Sequence, residues 1–271
     1  MKKVIIIGGG AAGYFTAINA KENNPELDIT ILEKGKDVLQ KVKISGGGRC
    51  NVTHACFEPK ELVKFYPRGE KELLGPFHKF MTGDTFEWFE NRGIPLKIEG
   101  DNRVFPEANT SQAIIDCFKN AVDNLGIKVL KNCGVNSVSQ KENKWVVNTK
   151  EQVYSAEKLV IAAGSSKKVW ELCETLDHLV IEPVPSLFTF NINDKRLVDL
   201  LGISVPNATV TISGTKLEAS GPLLITHWGM SGPAILKLSA FGARVLADKK
   251  YQYNVEVNWL SRPTDKVLNV L

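Results

Sequence analysis

From Val4 to Ile7 the chain carries four β-branched residues in a row, the pattern of a strand buried on both faces of a parallel sheet. Three glycines follow directly, and residues 14–22 then take on helical character, with the small Ala17 and Ala20 among them. A second apolar strand is predicted over 28–32, ending at Glu33, so the opening of the chain reads as a βαβ unit. Residues 34–51 read as a loop rich in lysine and glycine. Helices are predicted over 59–66, 70–80 and 84–91, the last closed by Gly93. Strands at 95–98 and 103–105 flank a hairpin turn at 99–102. Ile114, Ile115, Phe118, Ala121, Val122 and Leu125 fall at helical spacing, which predicts an amphipathic helix over 110–125, stopped by Gly126.

A β-meander follows, with strands at 127–130, 135–139 and 144–148. A further apolar strand at 158–162 runs into Ala163 and Gly164, and a helix is expected over 168–176. The texture changes at Pro183-Val184-Pro185, which marks a boundary between residues 1–184 and 185–271. The second part is mainly β, with strands at 187–192, 205–212, 216–226 and 251–257. One helix is expected over 231–246, capped by Ser231 with Pro233 in its first turn. Pro263 opens a last helical stretch with Val267, Leu268 and Leu271 on one face.

Composition narrows this picture. The 271 residues are 43% hydrophobic and 24% charged, which excludes a disordered chain. The net charge of +4 comes from lysines and arginines spread along the sequence, so neither nucleic acid nor an anionic membrane is called for. No apolar run is long enough to span a bilayer, and residues 4–7 are too short for a signal-peptide core. Five cysteines without metal-ligand spacing point to reduced thiols in a cytoplasmic protein, with no metal site.

The chemistry concentrates in Gly8-x-Gly10-x-x-Gly13, set between a strand and a helix, with Glu33 20 residues beyond Gly13. Gly8 permits the tight turn, Gly10 lets a pyrophosphate approach the backbone, and Gly13 lets the helix lie close to the sheet. The helix N-terminus offers free N–H groups to the phosphates. Glu33 would accept from ribose hydroxyls and repel a 2′-phosphate, which suits FAD or NAD better than NADP. The late strand into Ala163-Gly164, and the helices and meander that replace regular βα units, favour FAD.

Two other stretches carry candidate residues. In Ser45-Gly46-Gly47-Gly48-Arg49-Cys50-Asn51, three glycines before an arginine suggest backbone close to a ligand. Arg49 suits a phosphate or carboxylate, and Asn51 a flavin carbonyl, with Lys41 and Lys43 adding positive potential. Cys50 reads as a small packing residue or, with Arg49 lowering its pKa, as a reactive thiol. His227, at the end of a strand, reads as a proton donor near a flavin or as a histidine that holds its turn by hydrogen bonds.

With these stretches, and with Arg103-Val104-Phe105-Pro106 and the GPLLITHWGMSGPAIL run at 221–236, the sequence resembles the BaiN-like flavoproteins, the aminoacetone-oxidase family of FAD-binding enzymes. The resemblance covers nearly the whole chain. It implies an α/β fold: a Rossmann-like FAD-binding domain over 1–184, with a helical and hairpin insertion at about 56–107, and an inserted β-barrel-like domain over 185–271. It implies FAD contacts at Gly8, Gly10, Ala12, Gly13, Glu33, Lys34, Gly48, Arg49, Cys50, Asn51, Val135, Ala163 and Gly164. The expected activity is hydride transfer through flavin between NAD(P)H and a small organic substrate, with His227 as the catalytic candidate. A non-catalytic dinucleotide-binding module and an NAD-dependent dehydrogenase are the alternatives. Such flavoproteins continue into a segment that returns to the FAD domain, so a C-terminally truncated chain is expected.

Overall fold

Four parallel strands frame the first part of the molecule. In the computed structural model, which describes residues 2–261, they are β1 (Lys3–Ile7), β2 (Asp28–Leu32), Lys128–Leu130 and Lys158–Ile161. Their spatial order is Lys158–Ile161, β1, β2, Lys128–Leu130, so β1 has a parallel partner on each side. Alternation along a strand sends β1 side chains to opposite faces. Val4 and Ile6 enter a core with Tyr14, Ala17 and Ile18 of helix α1 (Ala11–Asn23) and with Ile114, Phe118 and Val122. Ile5 and Ile7 enter a second core with Val135, Val138, Val147 and Leu172. That two-sided burial is why the strand is written in β-branched residues.

The first face is covered by α1 and by the amphipathic helix Ser111–Asn124. The Oγ1 of Thr110 caps that helix by accepting from the Gln112 N–H at 3.2 Å. The second face carries the antiparallel meander Val135–Lys141, Lys144–Thr149, Val153–Ala156 and the helix Lys167–Glu174. The third strand of that meander escaped the sequence reading because its four residues, Val153-Tyr154-Ser155-Ala156, do not alternate in polarity although their burial does. The expected helices and hairpin at 59–105 are present as Pro59–Leu62, Glu70–Phe77 and Thr82–Glu90, with Leu96–Ile98 paired to Arg103–Pro106. Trp88 anchors them to the first core, its ring 5.1 Å from Phe15 and 5.4 Å from Phe118.

The chain divides into two compact units. One holds residues up to Lys64 together with Lys71–Val180, and the other holds Phe65–Glu70 together with the residues from Ile181 on. Within the second unit, Arg68 reaches back to the helix Pro233–Phe241 and donates to the Ala240 carbonyl at 2.8 Å. This unit is an antiparallel sheet in the order Phe190–Asn191, Gly229–Ser231, Glu218–Thr226, Ser204–Ile212, Val255–Asn258. Its core joins Val210, Ile212, Leu223 and Ile225 to Ile235 and Leu238 of the packed helix.

Three local expectations are corrected. Residues 34–51 are not wholly loop: helical hydrogen bonding runs over Gln40–Gly48, broken at Ser45, Gly46 and Gly47. Ser231 lies in a strand, and the cap position before Pro233 is Gly232, at φ 98°, where a Cβ would stand 2.7 Å from the Pro222 oxygen. The helix expected over 231–246 is two, Pro233–Phe241 and Ala243–Asp248. They part at Gly242, where Leu217 leaves no room for a side chain. The helical stretch after Pro263 lies outside the described residues.

Two tests follow from packing and charge. A Cβ on Gly13 would sit 2.0 Å from the Gly8 oxygen, whereas one on Gly75, inside a helix, meets nothing within 4 Å. In urea unfolding, Gly13→Ala should lose about 1–3 kcal/mol, and Gly75→Ala should be neutral or gain up to about 1 kcal/mol. Asp194 accepts from the Arg196 N–H at 2.9 Å and from its guanidinium, which lowers the carboxyl pKa from 3.8 to about 2. The contribution of such a group is complete above its unfolded pKa and vanishes as pH falls through the folded one. The stability deficit of Asp194→Asn should therefore be full at neutral pH and should shrink between pH 3.8 and about 2.

Candidate cofactor site

The turn from β1 into α1 is built on three glycines that do different work. Gly8 sits at φ 115°, and a Cβ there would stand 2.5 Å from the Ala162 oxygen, where the Lys158–Ile161 strand leaves the sheet. Gly13 brings the first turn of α1 against the Gly8 carbonyl. Gly10 is extended at φ −90° and ψ −175°, and nothing lies within 4 Å of where its Cβ would be. Its carbonyl accepts from the Tyr14 N–H at 3.0 Å, so the N–H groups of Ala11, Ala12 and Gly13 begin the helix without intrahelical partners. An open concavity lined by such groups, at a positive dipole end, suits a phosphate.

Glu33 stands directly after β2 and ties two loops together. Its Oε2 accepts from the Gly9 N–H at 2.8 Å and its Oε1 from the Gly35 N–H at 2.7 Å. Each oxygen keeps a lone pair for another donor. Residues 132–135 run alongside. The Cys133 N–H donates to the Glu33 carbonyl at 2.8 Å and the Asn132 N–H to the Gly35 carbonyl at 2.9 Å, which brings Gly134 beside Lys34. The side chain of Val135 is buried with Ile5, Ile7 and Leu32, so its backbone is the part available to a ligand.

A third wall comes from the other side of the sheet edge. The Leu39 N–H donates to the Gly9 carbonyl at 2.8 Å, and Lys41 Nζ donates to Ser165 Oγ at 2.7 Å. Gly164 is at φ 58°, and a Cβ on it would stand 3.4 Å from Lys41 Nζ. Gly8, Gly10, Glu33, Lys34, Val135, Ala163 and Gly164 are thus gathered at the carboxyl end of the parallel strands, the place where open α/β sheets bind ligands. Ser165 joins them although sequence reasoning missed it. The signal available was the small-residue run after the late strand.

The glycine-rich turn continues from Lys41 along the same helical segment. Gly46, Gly47 and Gly48 have φ of 55°, 67° and 84°, and Cys50 follows at 64°. A side chain on Gly46 would strike the Asn51 nitrogen at 2.6 Å and the Phe105 ring at 2.8 Å. Arg49 is held between a ring and a carboxylate, with Cζ 3.9 Å from the Phe105 centroid and Nη1 2.5 Å from Glu99 Oε1. The Arg49 hydrogen bond holds the Glu99 carboxyl below its usual range. The Asn51 amide donates to the carbonyls of Thr53 and Val104, at 2.9 and 3.2 Å. The reading of Cys50 as a thiol activated by Arg49 is corrected. Cys50 belongs to the first core, and burial raises its pKa, offset only in part by a hydrogen bond with Ser45.

His227 lies in the second unit, in the two-residue turn of the hairpin that pairs Thr226 with Gly229, so it is not at the entry of a helix. It is exposed, and its ring meets Trp228 edge-on at 4.2 Å. All five cysteines are free thiols. Among the described residues no group of three or more His, Cys, Asp or Glu could hold a metal ion, and no helix is long and apolar enough to cross a membrane.

Comparison with known proteins agrees with this architecture. The chain is 28% identical over 251 residues to the ribosomal RNA dihydrouridine synthase of Haemophilus influenzae, covering 88% of this chain and 61% of that protein. It is 23% identical over 270 residues to the 3-dehydro-bile acid delta(4,6)-reductase of Clostridium scindens, covering 96% of this chain and 65% of that one. The chain thus spans between three-fifths and two-thirds of the length of these curated relatives. Among solved structures, Thermovibrio ammonificans THI4 matches with a TM-score of 0.43 at 11% identity, over 64% of this chain and 62% of that one. Residues 2–237 match the model of the HI0933-like protein Rossmann domain. The chain therefore belongs to the HI0933-like family, a family of FAD-dependent oxidoreductases.

Proposed function

We propose that this chain binds FAD through residues 1–184 and serves an oxidoreductase that passes a hydride between NAD(P)H and an unsaturated organic substrate in the cytoplasm. The observation that carries the reading is the open concavity over Gly10, at the N-terminus of α1, walled by Gly8, Glu33 and the Lys41–Ser165 pair. In this proposal the N–H groups of Ala11, Ala12 and Gly13 hold the pyrophosphate, and Lys41 neutralises part of its charge. Glu33 takes the ribose hydroxyls on its remaining lone pairs. Lys34 and the Val135 backbone flank the adenine, and Ala163 and Gly164 close the other side. Gly48, Arg49, Cys50 and Asn51 present backbone and amide groups to the isoalloxazine. When bound, FAD supplies the two-electron chemistry, and the protein supplies orientation and electrostatics.

The substrate reading rests on chemistry shared by the relatives' names. A dihydrouridine is a uridine whose ring double bond has gained two hydrogens, and a delta(4,6)-reductase is named for carbon–carbon double bonds. The proposed reaction is therefore reduction of a double bond conjugated to a carbonyl. One carbon receives the hydride and its neighbour a proton, for which His227 is the candidate donor. The inserted mainly-β domain, residues 185–271, would present the substrate. A small molecule is the first choice of substrate. The RNA named in one relative supports a nucleobase as the second.

The test is direct. Protein saturated with FAD should be yellow and bleach with NAD(P)H under anaerobic conditions. Colour should then return on adding an enone (the small-molecule reading) or a uridine-containing RNA (the nucleobase reading). Colourless protein that takes up no FAD defeats the proposal. If it takes up NAD instead, the dehydrogenase alternative stands. FAD uptake without any bleaching leaves the binding module. Gly10→Val should leave the urea midpoint unchanged, because the protein offers no clash there. It should weaken FAD binding by about 10–100-fold, read from flavin absorbance per chain.

A further inference from the structure

Apart from that concavity, the first unit holds a pocket of about 340 Å³ between the helix Ser111–Asn124, the first turn of α1 and the segment that follows Glu33. None of Gly8, Gly10, Glu33, Lys41 or Gly164 lines it. Its volume is within the range of small-molecule sites. The apolar part comes from Val38, Ile115, Val122 and Val129.

Tyr14 lines the same pocket and is only 2% exposed. Its ring packs edge-on against Phe118 at 6.1 Å, yet its hydroxyl makes no hydrogen bond with another described residue. The hydroxyl reaches solvent through the pocket, so it is available there to donate to a ligand or to water. Burial and the nearby carboxylates of Asp123 and Glu33 push its pKa up to about 12, so it stays a neutral donor. Around the mouth stand Lys43, Lys119 and Lys131, all exposed, and none is engaged in an ion pair among the described residues. Asp37 and Asp123 also line the pocket, so its charged residues sum to 3 − 2 = +1. Lys43 is held in place from below, because Ser111 Oγ donates to its carbonyl at 2.8 Å.

We propose that this pocket binds a small organic anion, a carboxylate or phosphate ester carried on a ring, in addition to the cofactor. The ring lies on the four branched aliphatic side chains, an acceptor on the ligand takes the Tyr14 hydroxyl, and the anionic group is held by the three lysines. The two aspartates accept from a hydroxyl or amine substituent where the ligand carries one. This inference does not depend on the redox reading, because it uses a different set of side chains.

The experiment titrates 4-hydroxybenzoate and phenyl phosphate into the FAD-saturated chain by calorimetry, with inorganic phosphate as a control. At least one of the two ring probes should bind saturably with millimolar or better affinity. Lys119→Glu with Lys131→Glu, and separately Tyr14→Phe, should each weaken it about tenfold. Tyr14→Phe should leave the urea midpoint of the ligand-free protein unchanged, since it removes a hydroxyl with no partner. Gly10→Val, which weakens FAD binding at the concavity, should not alter probe binding. The proposal is overturned if neither probe saturates, or if inorganic phosphate binds as well as they do. It is also overturned if the variants leave affinity unchanged, or if Gly10→Val abolishes binding, which would place the probe in the cofactor site. Loss of stability in Tyr14→Phe would show a structural partner for the hydroxyl and overturn it too.

Discussion

Everything in the first unit depends on one close approach, where three backbones meet at the end of β1. The first turn of α1 rests on the Gly8 carbonyl, and Gly8 in turn faces the Ala162 carbonyl, at distances that exclude a Cβ at Gly8 and Gly13. Because the helix lies so near the sheet, its free N–H groups point to the same edge as the loop after β2. Glu33 can then reach the Gly9 N–H, and the 162–165 segment can pass within reach of Lys41. A larger residue at either glycine would move the helix end and scatter groups that come from four separate stretches of sequence.

The parts of this arrangement that are local in sequence were legible beforehand. The β-branched run of β1, the spacing of three glycines and the acidic residue after β2 follow from short-range rules. So does the amphipathic helix Ser111–Asn124, where Ile114, Ile115, Phe118 and Val122 are buried as its periodicity predicts, together with Ser111 and Cys117. What escaped was long-range or depended on space. Arg49 and Glu99 are 50 residues apart, and nothing in either stretch names the other as a partner. Lys41 and Ser165 are 124 residues apart. At Gly242, between two helices, a Cβ would stand 2.8 Å from Leu217, a neighbour that the local sequence does not name. The strand Val153–Ala156 is defined by its pairing with Lys144–Thr149 rather than by a pattern of its own.

The glycine-rich turn shows how a flexible composition becomes a fixed shape. Gly46 is pinned by the Asn51 backbone and the Phe105 ring, and Arg49 lies flat on that ring while its fork is occupied by Glu99. The stretch that reads as a mobile lysine and glycine loop is held from outside by the hairpin Leu96–Ile98 and Arg103–Pro106. Its backbone therefore has a fixed shape set by the protein alone. Cys50, the fourth positive-φ position of the stretch and separated from the glycines by Arg49, is a buried member of the first core.

The piece Phe65–Glu70 has a consequence for biosynthesis. It belongs with residues that follow Ile181, and Arg68 meets Ala240 172 residues later. A ribosome delivers the residues of the first unit up to Val180 at a rate that leaves seconds before the second unit's later elements emerge. During that interval the six-residue strap waits, and the Ala240 carbonyl that Arg68 meets arrives only with the Pro233–Phe241 helix. The order of synthesis therefore imposes an order of assembly on a unit whose residues come from two separate stretches of sequence.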